Sequence, residues 1–193
     1  MTRWSITALI AIIVTGAIAA LLLFITLSET GQDPVNTTSI SPLVDDPNAS
    51  LPTISATLFY VAEQGTRLVR REHAVPEAVA TTSQARLLIE QQLLPPEPPL
   101  TSAVPEGTTL LGIYISDRGD AFVDFSREIN TGHSGGSLEE LFTIYAIVNT
   151  LTVNLPSITG VQILIEGQEV DTLAGHIDLR RPLAQSLKWV EPL

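Results

Sequence analysis

The chain of 193 residues contains no cysteine. No disulfide can staple the fold, and thiolate chemistry and thiolate metal ligation are excluded. Basic side chains are also scarce, with 10 Lys and Arg against 21 Asp and Glu and a formal net charge of -11. Phosphate recognition needs clustered cations that displace counterions, and the only local concentrations are Arg67, Arg70 and Arg71 and the pair Arg180-Arg181. Lys and Arg are mostly solvated whatever they do, so these read as exposed faces and not as a nucleic-acid site. The same negative field repels anionic lipid headgroups. Aromatics make up only 5% of the chain. Stability must therefore come from aliphatic packing, and the polar part of the chain is long enough to bury one core.

What is present begins at the N-terminus, where Ile6 to Leu27 form an unbroken run of apolar and small uncharged residues. As a helix this run reaches roughly 33 Å, enough to cross a hydrocarbon core of about 30 Å. It is longer than the core of a secretory signal, and its exit, Phe24-Ile25-Thr26-Leu27-Ser28-Glu29, makes a poor cleavage site. Without cysteine there is also no lipid acceptor. The run is expected to be an uncleaved membrane anchor. Arg3 precedes it and Glu29 and Asp33 follow it, which places residues 1–5 in the cytoplasm and the remainder outside.

Residues 28–55, rich in Pro, Ser, Thr, Asn and Asp, show no sustained apolar period and read as a flexible linker. With about 28 residues its reach is roughly 30 Å. The tripeptides Asn36-Thr37-Thr38 and Asn48-Ala49-Ser50 match a glycosylation pattern that often arises by chance.

Beyond the linker the pattern predicts an α+β domain. Strands are expected over Ala56 to Val61 and Arg67 to Val75, joined by a hairpin at Gln64-Gly65-Thr66. A helix follows from about Thr82 to Leu94, where Ala85, Leu88, Ile89, Gln92 and Leu93 recur at helical spacing. The run Pro95-Pro96-Glu97-Pro98-Pro99 stops it and acts as a stiff spacer. Strands over Thr108 to Ser116 and Ala121 to Ser126 flank the turn Asp117-Arg118-Gly119-Asp120. Ser137-Leu138-Glu139-Glu140 reads as a capping box opening a second helix, which is apolar almost all round from Leu141 to Val148 and should lie between layers. A strand over Gly160 to Glu166, a turn at Gly167 and a short return over Glu169 to Leu173 complete the order β-β-α-β-β-α-β. One mixed or antiparallel sheet packed with two helices is expected.

Several polar groups invite a chemical reading. Asp117, Asp120 and Asp124 are candidates for a general acid and base acting on a wall polysaccharide, and His133-Ser134 lies in the loop Gly132-His133-Ser134-Gly135-Gly136. Aspartates beside Gly119 equally suit a turn, and adjacent His and Ser do not make a triad. The loop lacks the Gly-Lys-Ser/Thr end of a phosphate cradle. His73, His133 and His176 are scattered without metal-ligand spacing. Asn149, Thr150 and Asn154 are accounted for by the free carbonyls and the turn at a helix end. No catalytic, cofactor-binding or metal-binding residue is assigned.

Five blocks together resemble the GerMN domain: Val104-Pro105-Glu106-Gly107-Thr108, Ala121-Phe122-Val123-Asp124-Phe125-Ser126, Ile147-Val148-Asn149-Thr150-Leu151-Thr152, Val161-Gln162-Ile163-Leu164-Ile165-Glu166-Gly167, and Leu173-Ala174-Gly175-His176-Ile177-Asp178-Leu179. The resemblance covers about Ala56 to Leu183 and leaves residues 184–193 as a C-terminal tail. It departs from the family at Pro95-Pro96, where a Gly-Pro is expected. It implies an α+β module of exported or membrane-attached bacterial proteins, named from spore formation and germination and similar to ring-building modules of envelope machines. The family has no associated catalytic residue or cofactor, and its members act through protein or cell-wall contacts. Bacteria that make no spores carry it as well. The expectation is a non-catalytic, single-pass envelope module with protein or peptidoglycan partners, no nucleic acid, and scope for self-association. A wall hydrolase and an extracytoplasmic small-ligand sensor are the rival readings.

Overall fold

The computed structural model describes residues 52–133 and 136–192. The expected anchor at 6–27, the two sequons, most of the linker, and Ser134 lie outside the described residues. Among the described residues no helix is long and apolar enough to cross a membrane.

β1 (Thr53–Val61) and β2 (Leu68–Pro76) form an antiparallel hairpin in continuous register from Thr53↔Pro76 to Val61↔Leu68. α1 (Thr81–Gln92) follows and leads to the proline-rich connector. β3 (Leu110–Ile115) and β4 (Asp120–Phe125) pair antiparallel, with a bulge between Leu110 and Gly112. The turn between them needs Gly119, whose φ is +86°. After the short α2 (Glu128–Thr131) comes the long α3 (Ser137–Asn154), and β5 (Gly160–Ile165) then returns parallel to β4. β6 (Gln168–Glu169) closes the second sheet in the order β3-β4-β5-β6.

The α+β class agrees with the sequence, but the single sheet does not. Among the described residues there are two sheets, and α2 adds a third helix to the two expected for the domain. The division has a physical cause. The edge of β1 that faces away from β2 pairs with polar side chains from the helices instead of with another strand. Thr57 is met at both its N–H and C=O by Asn154, and Phe59 in the same way by Gln92. These amides satisfy the backbone as a neighbouring strand would.

α3 is packed on both sides, as its nearly continuous apolar surface predicts. Ile144, Ile147, Val148 and Leu151 join the main core with Ala121, Val123 and Phe125 of β4, Val161 and Ile163 of β5, and Ala85, Leu88 and Ile89 of α1. Phe142 and Ala146 face a second cluster with Phe59, Leu68 and Val190. Near the C-terminus, Leu68 donates to the Trp189 carbonyl and accepts from Glu191 N–H, and Asn149 exchanges hydrogen bonds with the backbone of Ser186.

The capping box is not formed. Gly136 occupies the N-cap without a side-chain hydrogen bond, and Ser137 is already helical. The Glu140 side chain, fully buried, is drawn away from the helix start by a set of donors described below.

Candidate functional site

Of the three aspartates weighed as an acid and base pair, Asp120 and Asp124 are held apart, and Asp117 stays at the turn with Asp120. Asp117 is exposed in the turn before Gly119. Asp120 opens β4 and pairs with Arg118 at 3.6 Å. Asp124 ends up at the far end of the same strand, where its Oδ1 accepts from Gly167 N–H at 2.8 Å and pins the turn from β5 into β6. Four residues along a strand separate Asp120 and Asp124 by roughly 13 Å. That exceeds the span of about 5 to 9.5 Å at which two carboxyl groups cooperate across a glycosidic bond.

The three histidines serve three different places. His73 packs edge-on against Tyr60 at 5.7 Å between ring centres. The Nδ1 of His176 lies 2.9 Å from a Glu140 carboxylate oxygen. His133 follows α2, where Gly132 lies too close to Pro105 to carry a Cβ. It lines a hollow of about 430 Å³ together with Ser102, Val104, Pro105, Leu138 and Phe142. Its Nε2 is buried and has no hydrogen-bond partner among the described residues. Burial lowers the affinity of the ring for a proton, against the opposing pull of the Glu140 and Glu139 carboxylates.

Two of the hydroxyls around this hollow, those of Ser102 and Thr143, are engaged by the backbone. Ser102 Oγ donates to the Val104 carbonyl and accepts from its N–H. Thr143 Oγ1 donates to the Ala103 carbonyl. The imidazole shares the hollow with the hydroxyl of Thr101 and the carboxylate of Glu139, and its unpartnered nitrogen offers one hydrogen bond to a neutral group.

The most elaborate polar constellation is one the local pattern concealed. Glu140 accepts at 2.9 Å from the backbone N–H groups of Leu173, Ala174 and His176, and at 3.4 Å from Ile177. Burial alone would raise its pKa. The backbone donors and the His176 ring outweigh it, and the net displacement is downward. The carboxylate thus fixes the loop 173–177 onto the first turn of α3. A sequence signal did exist, since Glu140 directly precedes an apolar stretch, but the same residue satisfies the capping-box pattern and the local explanation hid the tertiary one.

Asn149, Thr150 and Asn154 are structural, as the sequence implied, though their partners are remote. Asn149 holds Ser186, Asn154 holds Thr57, and Thr150 Oγ1 donates to Gln92 Oε1. The arginine pair also divides. Arg180 is tied to Asp178 at 2.7 Å, which holds that carboxyl well below the usual range.

Comparison with known proteins agrees with this architecture. The family described as Germane, sporulation and spore germination, matches residues 57–171. A solved protein of Clostridium perfringens described as a lipoprotein is similar at 26% identity and a TM-score of 0.50, over 68% of this chain and 87% of that one. The tandem GerMN domains of the sporulation protein GerM from Bacillus subtilis share the fold at 22% identity and a TM-score of 0.54, over 69% of this chain and 46% of theirs. The first GerMN domain of that protein, at 21% identity and a TM-score of 0.51, is covered over 96% of its length and 69% of this chain. No curated protein matches.

Proposed function

We propose, from the premise that this chain belongs to the Germane family of sporulation and spore germination domains, that it is a non-catalytic module of the cell envelope. The apolar run at 6–27 holds it in the cytoplasmic membrane with the N-terminus inside. The acidic α+β domain stands outside on the linker and works by contact with envelope proteins or peptidoglycan. The observation that carries this reading is the family match over residues 57–171. It is supported by the likeness to a protein described as a lipoprotein, itself a class of envelope protein. The geometry is consistent with contact in place of turnover: Asp120 and Asp124 each have a structural partner, and the Ser102 and Thr143 hydroxyls beside His133 are tied to backbone carbonyls.

Crosslinking in the native host, followed by recovery of the full chain, tests the reading. An envelope protein or peptidoglycan fragment is expected to copurify. Recovery of no envelope component would overturn it. Release of soluble muropeptides by the purified protein, abolished by alanine at Asp117, Asp120 or Asp124, would replace it with the hydrolase reading.

A further inference from the structure

In the β1–β2 ladder, Thr57, Phe59 and Val61 turn their backbone groups away from β2, and all three are met, by Asn154, Gln92 and the backbone of Thr101. Their register partners Glu72, Arg70 and Leu68 therefore turn their own N–H and C=O groups outward on the far side of the hairpin. Leu68 is met by Trp189 and Glu191, forming a parallel bridge with Val190. This edge thus already accepts a strand-like neighbour, and the pairing stops after one bridge. Beyond it, the N–H groups of Arg70, Glu72 and Ala74 meet no acceptor among the described residues, and only the Arg70 carbonyl is engaged, by Arg71 Nη1. Pro76 sits in the same outward register and ends the stretch, because it has no N–H to offer.

Two further features mark this edge. A hollow of about 430 Å³ includes part of this stretch in its lining, with Tyr60, Arg71, His73, Ala74, Leu100 and the carboxylate of Glu97. Arg71 and His73 of its lining share one face of β2, the face on which alternate side chains of an added strand would lie. The charge is also unusual for a chain of net -11. Arg67, Arg70, Arg71 and Lys188 gather along β2 and the adjacent C-terminal segment, and none of them has an ion-pair partner among the described residues. The carboxylate of Glu72, the acidic side chain within the open stretch, is turned onto β1, where Ser55 Oγ and Thr57 Oγ1 donate to it at 2.7 Å. Glu191 lies at the bridge, before the open stretch begins.

We infer that the Arg70–Ala74 edge of β2 is a docking edge that receives an extended acidic segment of a protein partner as an added strand. Backbone pairing supplies affinity, the hollow supplies side-chain selectivity, and the arginines select acidic sequence. A second copy of this chain would bring the same arginines to the edge and not the acidic complement they lack, and registers centred on Arg71 or Glu72 set that residue against its own like charge. The inference rests on the contact-module reading for the existence of a partner.

The test uses the full chain in detergent micelles and a synthetic extended peptide of about nine residues with alternating glutamate and valine. Amide exchange is followed by NMR. The peptide is expected to slow exchange at Arg70, Glu72 and Ala74 by about tenfold or more, while a lysine-valine peptide and an N-methylated acidic peptide do not. Arg70→Glu with Arg71→Glu should reverse the charge preference without touching the ladder to β1. Ala74→Pro, which removes one outward N–H, should weaken binding about tenfold, or about 1.4 kcal/mol.

Unchanged exchange at these amides, equal binding of the lysine peptide, or protection that rises with protein concentration alone would overturn the inference, the last by installing a second copy as the occupant. In the host, an Ala74→Pro protein that keeps every envelope crosslink of the wild type would also overturn it while leaving the contact-module reading intact. A wild-type chain with no crosslinks fails that broader reading instead.

Discussion

Replacing Glu140 by Gln tests whether the loop 173–177 is held by a buried carboxylate. The substitution keeps the size and one acceptor oxygen but turns an NH₂ group toward backbone donors. Three backbone N–H groups lie at 2.9 Å from the carboxylate. Hydrogen bonds to a charged group contribute about 1.5–3 kcal/mol each, and a buried donor left unpaired costs about 1–3 kcal/mol. With the amide oxygen kept on Leu173 and Ala174, the His176 N–H is stranded and the other two bonds lose their charged acceptor, so the expected loss is about 3–5 kcal/mol, a large part of the roughly 5–15 kcal/mol that holds a domain folded. The half-exposed His176 adds little to that figure, because solvent screens it. Urea unfolding read by tryptophan fluorescence should show the midpoint falling by about 2 M.

The same carboxylate sets a pH dependence. Its folded pKa is depressed. The stabilisation is therefore fully present above the unfolded value of about 4.3 and is lost as pH falls through the folded value. The gap between wild type and Glu140→Gln should begin to narrow as the pH falls below about 4.3 and close once the pH is below the depressed folded value. A midpoint shift under about 0.5 M at neutral pH, or a gap that stays constant into acid, would refute the reasoning.

Gln92→Leu should cost about 3 kcal/mol, because Phe59 would lose both its donor and its acceptor partner and Thr150 its acceptor, and chemical denaturation measures this directly. Gly119→Ala should cost about 2 kcal/mol or more in thermal melts. The reason is that the turn holds φ at +86° and a Cβ there would approach the Ser157 carbonyl oxygen to 2.5 Å.

Local patterns located the elements because each carries its own signal. Leu88 and Ile89 at helical spacing, the turn at Gly119 and the apolar run from Leu141 all have short-range causes, and the observed boundaries fall within one or two residues of most predicted ones. The short return after Gly167 is the larger miss, reaching only Glu169. The division into two sheets was not legible. It depends on Gln92 and Asn154 meeting β1 from positions far away in sequence, and an amide on a helix looks the same whether it faces water or a strand. Glu140 failed for the opposite reason: a local motif explained it too well. The unpaired stretch of β2 is also a tertiary property, since only the register with β1 shows which of its amides point outward.

The central claim, a domain that stands outside the membrane and works by contact, can be tested with one reagent because the chain has no cysteine of its own. Val79→Cys introduces a thiol at a fully exposed position between β2 and α1. A membrane-impermeant maleimide carrying a photocrosslinker, applied to intact cells of the native host, should react there and on illumination trap an envelope protein or a peptidoglycan fragment. A thiol that reacts only after lysis would contradict the account.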